Sequence, residues 1–182
     1  MTSRLDALSC PLPHEQEEIV QLAHGGGGRR MANLIEGLFL PAFDNGALAA
    51  LADGATLAFG GERLAFTTDT FVVSPAFFPG GDIGSLAIHG TANDLAVCAA
   101  EPVGFSVGLV LEEGFPIADL RRVIASLARA SAALAAPVLT GDTKVVERGK
   151  GDGIYINTTG IGRVRPGIEV GPERARPRDA VL

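Results

Sequence analysis

Three carboxylates stand among apolar or small neighbours in segments far apart along the chain. Asp69 lies in LAFTTDTFVV, where strand alternation puts its side chain on one face with Ala65, Thr67, Phe71 and Val73. Asp94 lies in GTANDLAV, on a helical stripe with Ile83, Ala87 and Gly90. Asp142 follows a short apolar strand in LTGDTKVV. Removing a carboxylate from water costs on the order of several kcal/mol unless it is paired, hydrogen-bonded or metal-bound. Taken singly, each has a structural reading: a strand end, a backbone bond, a turn cap. Taken together, with Lys144 two residues after Asp142, they predict one site in which hard oxygen ligands hold Mg²⁺ and a lysine meets phosphate.

LAHGGGGRR, at positions 22–30, adds a possible anion cradle. Gly25, Gly26, Gly27 and Gly28 precede a helical pattern, so their N–H groups and the helix N-terminus can face a phosphate, with Arg29 and Arg30 adding positive charge. The run is not a P-loop, since no Gly-Lys-Ser/Thr follows, nor does it fit G-x-G-x-x-G. The plain alternative is a solvated linker. Beside the aspartates and Lys144, the run argues for a nucleoside triphosphate with Mg²⁺. Among the remaining residues, His89 reads as a packed mid-helix histidine, Cys98 as a small core hydrophobe and Cys10 as a cysteine without a visible partner. ERGKGDG, 147–153, reads as an exposed loop or as one that closes over phosphates.

These residues need a scaffold of alternating strands and helices. A short strand is expected over 19–23. The spacing of Met31, Leu34, Ile35, Leu38 and Phe39 predicts an amphipathic helix ending near Pro41. Strands are expected over 64–73, 103–111, 137–139 and 154–164, and helices over 83–99 and from Pro116 to Pro137. Strands and helices intermix, which gives an α/β or α+β class. The chain has 182 residues, 47% of them hydrophobic and 20% charged, enough for one well-formed core. A net charge of −6 without a basic stripe argues against a nucleic-acid surface. Two cysteines make no disulfide framework, so a reducing cytoplasm is expected, and no apolar run is long enough to span a bilayer.

LAHGGGGRRMANLIE, FTTDTFVVSPAFFPGGDIGSLAIHGTANDLAV, LVLEEGFP and LTGDTKVVERGKGDGIYINTTGIG, running from about residue 20 to 164, resemble the HypE family of hydrogenase maturation proteins. The aspartate motifs alone resemble the wider superfamily of aminoimidazole ribonucleotide synthetase, selenophosphate synthetase and thiamine-phosphate kinase. The resemblance implies an ATP- and Mg²⁺-dependent carbamoyl dehydratase of the cytoplasm. A HypF-like carbamoyltransferase delivers a carbamoyl group to a C-terminal cysteine. Phosphorylation of the amide oxygen and loss of the N–H protons then turn the thiocarboxamide into a thiocyanate. The cyanide passes to iron on a HypC–HypD-like complex for the [NiFe]-hydrogenase site. The implied fold is PurM N-terminal-domain-like: a mixed sheet with helices on one side, its strands pairing into a barrel across a homodimer, with nucleotide along the interface.

Carried over by motif, Asp69, Asp94 and Asp142 would hold Mg²⁺. Gly25, Gly26, Gly27 and Gly28, with Thr68, Asp69, Asn93, Thr140, Gly141, Asp142, Thr143 and Lys144, would contact nucleotide. Asp94 and Lys144 would serve the dehydration step. The expected organisation is a lead-in over 1–20, an ATP-binding domain over 21–165, and a linker over 166–182 that opens a C-terminal domain not included in this chain. Neither Cys10 nor Cys98 stands at the carrier position, so the resemblance implies that these residues alone do not complete the reaction. Three alternatives remain: a small-molecule phosphate kinase of the same superfamily, a dimerisation module without catalysis, and a glycine linker beside scattered structural aspartates.

Overall fold

The computed structural model describes residues 19–43, 45–171 and 174–180, so Cys10 and most of the lead-in lie outside the described residues. Two compact units divide the chain, one up to Asn45 and one from Gly46 onward.

In the first unit, a single turn of 3₁₀ helix covers Leu22–Gly25 where a strand was expected. Its cause is local. His24 Nδ1 accepts the Gln21 N–H at 2.9 Å, closing the turn against the extended form. Helix α1 (Arg29–Leu34) follows, then a π-helical turn (Ile35–Phe39) and α2 (Leu40–Phe43). Met31, Leu34 and Ile35 are half-buried, as their spacing predicts, whereas Leu38 and Phe39 are exposed. Pro41 does not end the helix. The Leu40 N–H reaches back five residues to the Ile35 carbonyl, and the widened turn takes in a proline that has no N–H to donate.

The second unit runs α3 (Gly46–Ala49), β1 (Ala55–Phe59), β2 (Glu62–Phe71), a hairpin of β3 (Phe77–Phe78) and β4 (Gly81–Asp82), α4 (Ile83–Val97), β5 (Ala100–Glu112), α5 (Ile117–Ala133), β6 (Val138–Val146) and β7 (Ile154–Val164). Five strands form one mixed sheet in the order β1-β2-β7-β5-β6. β5 and β6 are parallel, joined through α5; every other pairing in this sheet is antiparallel. Helix α4 packs on β2, β7 and β5, and against α5. The mixed α/β class with helices packed on one face of the sheet matches the expectation.

Alternation explains why one face is covered. Ile154, Ile156, Thr158, Gly160, Gly162 and Val164 of β7 are all buried toward the helices, where they meet Ile83, Ile88 and Leu95 of α4 and Phe105 of β5 in one core. Small residues let α4 sit close to the sheet. A side chain at Gly160 would meet Thr91 and Leu95 at 2.8 and 3.0 Å. Two buried hydroxyls lie at this contact: Thr91 and Thr158 hydrogen-bond each other, and Thr158 donates to the Ala87 carbonyl at 3.1 Å. Asp82 caps α4, its carboxylate accepting the Gly84 and Ser85 N–H groups at 2.8 and 3.1 Å.

Two strands of the large sheet differ most from expectation. β1 was not foreseen; it pairs with β2 across Gly60-Gly61, both at positive φ (57° and 87°), a tight hairpin. β6 extends through Val146, so Thr140, Gly141, Asp142, Thr143 and Lys144 lie within a strand rather than in a loop after one. Parallel pairing with β5 carries the strand on, from Phe105 opposite Val138 to Glu112 opposite Val146. Gly141 has a packing reason there, because a Cβ would stand 2.5 Å from the Val107 carbonyl oxygen.

Candidate functional site

Strand register sorts the site residues onto two faces. Asp69 of β2 pairs with Thr158 of β7, Thr158 with Val107 of β5, and Val107 with Gly141 of β6. Directly paired residues share a face, and this row faces the helices. The next row is Thr70, Asn157, Gly108 and Asp142, on the opposite, open face. Thr68, Thr159, Ser106 and Thr140 form another open-face row. Asp142, Lys144, Thr140 and Thr68 therefore share the open face, while Asp69 points toward α4 and Asp94.

The helix-side group centres on Asp94. The Thr67 hydroxyl lies 2.9 Å from the Asp94 carboxylate and 2.8 Å from the Asp53 carbonyl. One hydroxyl proton cannot serve both acceptors, so an ionised Asp94 competes with that carbonyl. A protonated Asp94 would instead donate to Thr67 as Thr67 donates to Asp53. Burial pushes the Asp94 carboxyl above its ordinary value; the Thr67 bond opposes this, and the charges of Asp69 and Asp53 add to the rise. Asp53 was not foreseen. Its only signal is a carboxylate before Gly54 at the entry to β1, a position that reads equally as a turn. Asn93 is exposed beside Asp94 on α4, and His89 is exposed rather than packed. Cys98 is half-buried, with Sγ 3.7 Å from the Gly54 carbonyl. Burial, then Asp53 and Asp94, push its thiol up, which makes it a poor nucleophile.

The open-face group is built differently. Lys144 Nζ meets the Asp142 carboxylate at 2.7 Å, with both side chains about 70% exposed (70% and 68%). The Lys144 ammonium, with a Thr143 N–H, holds the Asp142 carboxyl below its usual range. Such an exposed pair contributes little stability, so a phosphate can displace it cheaply. Thr68 is engaged by its neighbours: its hydroxyl donates to the Thr158 carbonyl at 3.2 Å and meets Thr159 Oγ1 at 3.1 Å.

The two groups do not meet within one chain. β2 and β6 are three strand spacings apart, about 14 Å, and the carboxylates point to opposite faces. Mg²⁺ takes its oxygens at about 2.1 Å, so Asp142 cannot share an ion with Asp69 and Asp94 of the same protomer. Among the described residues, no three His, Cys, Asp or Glu side chains come together to hold a metal ion. Asp69 and Asp94 do supply hard oxygen donors. Mg²⁺ commonly uses one or two carboxylates with waters and phosphate oxygens, so this donor set fits Mg²⁺ bound with a phosphate.

Gly25, Gly26, Gly27 and Gly28 belong to the first unit. They are exposed, Gly27 is at a φ of +71°, and Gly28 precedes α1. A Cβ at Gly25, Gly27 or Gly28 would meet nothing within 4 Å, so packing does not explain the run. Arg30 is tied by its guanidinium to the Gln21 side chain.

A charge-cost test applies to Asp94. Its carboxyl is raised on folding, so the native state binds that proton more tightly than the unfolded chain. The cost of ionising it is present above the folded pKa and relieved as pH falls through it. Asp94→Asn is expected to raise Tm at neutral pH, on the order of 2 °C, and to flatten this stabilising limb on acidification. Thermal melts between neutral pH and the ordinary carboxylate range check both.

Comparison with known proteins gives the chain its relatives. The family model for AIR synthase related protein, N-terminal domain, matches residues 51–164. The chain is 51% identical over 163 residues to the carbamoyl dehydratase HypE of Rhizobium leguminosarum bv. viciae, covering 90% of this chain and 47% of that protein. A crystal structure of a HypE–HypF complex superposes with a TM-score of 0.73 at 44% identity, over 79% of this chain and 46% of that one. A crystal structure of HypE in complex with ATP gives a TM-score of 0.62 at 47% identity, over 87% of this chain and 47% of that one. The chain spans about half the length of these relatives. No helix of the described residues is long and apolar enough to cross a membrane. With more than half of its residues inside the matched domain, the chain, similar over its length to HypE proteins, belongs to the family of AIR synthase related proteins.

Proposed function

We propose that this chain is the ATP-binding and dimerising half of a HypE-type carbamoyl dehydratase that supplies cyanide for [NiFe]-hydrogenase maturation in the cytoplasm. The observation that carries the reading is the division of the site. The carboxylates of Asp69 and Asp94 lie on the helix face, and a weakly held Asp142–Lys144 pair lies on the open face. The open face is unusual for a solvated surface. Phe66 and Ile161 pair directly across β2 and β7, and are 45% and 37% exposed. Thr68, Thr70, Asn157 and Thr159 surround them with hydroxyls and an amide. Such a half-apolar sheet face suits a second copy of the chain, as in a barrel closed across a dimer.

In that dimer the carboxylates of one protomer and the Lys144 of the other would face one nucleotide. Asp69 and Asp94 would hold Mg²⁺, which would neutralise phosphate charge. Lys144 would turn from Asp142 to the phosphate being transferred and steady the charge that develops on it. Asp142 would be left as an acceptor near the substrate. The glycine run 25–28 would offer its N–H groups to an anion, and Thr140, Thr143 and Asn93 would bond nucleotide oxygens. Chemically, the S-carbamoyl oxygen attacks the γ-phosphorus and ADP leaves. Two N–H protons are then lost, the C–O bond breaks to release phosphate, and an S-bound nitrile remains. The carbamoyl-bearing cysteine, the HypF-like donor and the HypC–HypD-like acceptor act through the remainder of the protein.

Calorimetric titration with ATP, with and without Mg²⁺, tests the reading. Binding that needs Mg²⁺ and is lost in Asp94→Asn supports it. Binding that is indifferent to both refutes the phosphate-and-metal site.

A further inference from the structure

The loop 147–153, ERGKGDG, is neither loose nor empty. The Glu112 carboxylate at the end of β5 accepts the Gly149 N–H at 2.5 Å and the Gly153 N–H at 3.0 Å, one oxygen to each. The Glu112 N–H returns a bond to the Gly153 carbonyl at 2.9 Å, and the Glu113 N–H bonds the Val146 carbonyl at 2.9 Å. Glycine is required on both sides of the clasp. Gly149 and Gly153 sit at φ of +79° and +81°, and Gly114 sits at +100° with the Arg148 guanidinium 3.0 Å from where a Cβ would stand.

Edge strand β6 has only β5 beside it, and all its residues but Val146 are exposed. Its C-terminal end, two residues beyond Lys144, is held by pairing with β5 and by this clasp. We propose that Glu112 is a positioning residue: its two-pronged grip on Gly149 and Gly153 fixes the end of β6 and so holds Lys144 and Asp142 in place for the phosphate. This rests on the nucleotide reading given above. The two backbone bonds also hold the Glu112 carboxyl below its ordinary value, so the grip is made by the charged form at neutral pH.

Glu112→Gln keeps one acceptor but turns an amide donor against the second N–H. Amide exchange and ATP titration with Mg²⁺ are measured on the chain, on Glu112→Gln, on Lys144→Ala and on the double variant, with melts to show that each is folded. Expected are faster exchange at Gly149, Gly153 and residues 143–146, and ATP binding weakened about tenfold in Glu112→Gln. In the Lys144→Ala background the same change should cost much less, because Glu112 acts through Lys144; a purely structural role would give equal losses. Equal losses, or unchanged affinity, overturn the proposal. If the unaltered chain binds no ATP, the nucleotide reading fails separately, and unchanged exchange over 143–146 then overturns the clasp as a positioning device.

Discussion

Mixing two inactive variants restores binding sites if nucleotide is shared between protomers. Asp94→Asn removes the carboxylate half of each site, and Lys144→Ala removes the ammonium half. Each variant alone is expected to lose Mg²⁺·ATP binding by about 10²-fold or more, a scale set by charge-assisted contacts to phosphate. When equal amounts are unfolded together, refolded and allowed to pair, half the dimers carry one chain of each kind. In such a dimer one site takes both defects and the other takes neither. About one quarter of all sites should then bind ATP with unaltered affinity. Calorimetric stoichiometry reads this directly. Register motivates the experiment: Asp69 and Asp142 lie on opposite faces of one sheet, three strands apart. Zero recovery, from dimers shown by mass to be mixed, would mean that each protomer binds nucleotide with its own residues.

What the sequence disclosed follows from how far each signal reaches. The helix-facing position of Asp69 was legible because alternation over LAFTTDTFVV is a local, period-two signal, and β2 buries Ala65 and Thr67 as that pattern requires. The helical stripe of α4 set half-buried Asp94 in line with buried Ile83 and Ala87, again a local signal. Asp142 was misplaced because Thr140, Gly141 and Asp142 are turn-forming residues, and nothing local reveals that β5 continues alongside to hold them extended. With the strand cut short, the face of Asp142 could not be read, and three aspartates looked like one cluster. β1 went unseen because its residues, other than Ala55, are exposed on an edge strand and carry no buried-exposed alternation. Glu112 was invisible for a different reason. Its partners Gly149 and Gly153 are 37 and 41 residues away, and a carboxylate in LEEGFP carries no local sign that it holds backbone elsewhere.

The largest single-residue loss of stability is expected at Gly84, in the first turn of α4. By helix propensity alone, Gly84→Ala should stabilise, by up to about 1 kcal/mol. Packing reverses the sign. A Cβ there would lie 2.4 Å from the Val123 carbonyl oxygen and 3.1 Å from Val123 Cγ1 on α5, and 3.0 Å from the Asp82 carboxylate that caps α4. The nearest atom is backbone, so no rotamer change relieves the clash; α4 and α5 must separate. Val123 is fully buried, and separation opens the core around Ile83 and Ile88. The net cost is about 2–4 kcal/mol, which in a unit of this size lowers Tm by on the order of 10 °C. Gly37→Ala supplies the control. It too is helical, with nothing within 4 Å of its Cβ position, and should leave Tm level or slightly higher. Because α4 carries Asp94, a folded Gly84→Ala should also bind Mg²⁺·ATP more weakly at temperatures below its melt. A Gly84→Ala chain as stable as the parent would mean that the close approach of α4 to α5 at Val123 is not the native packing.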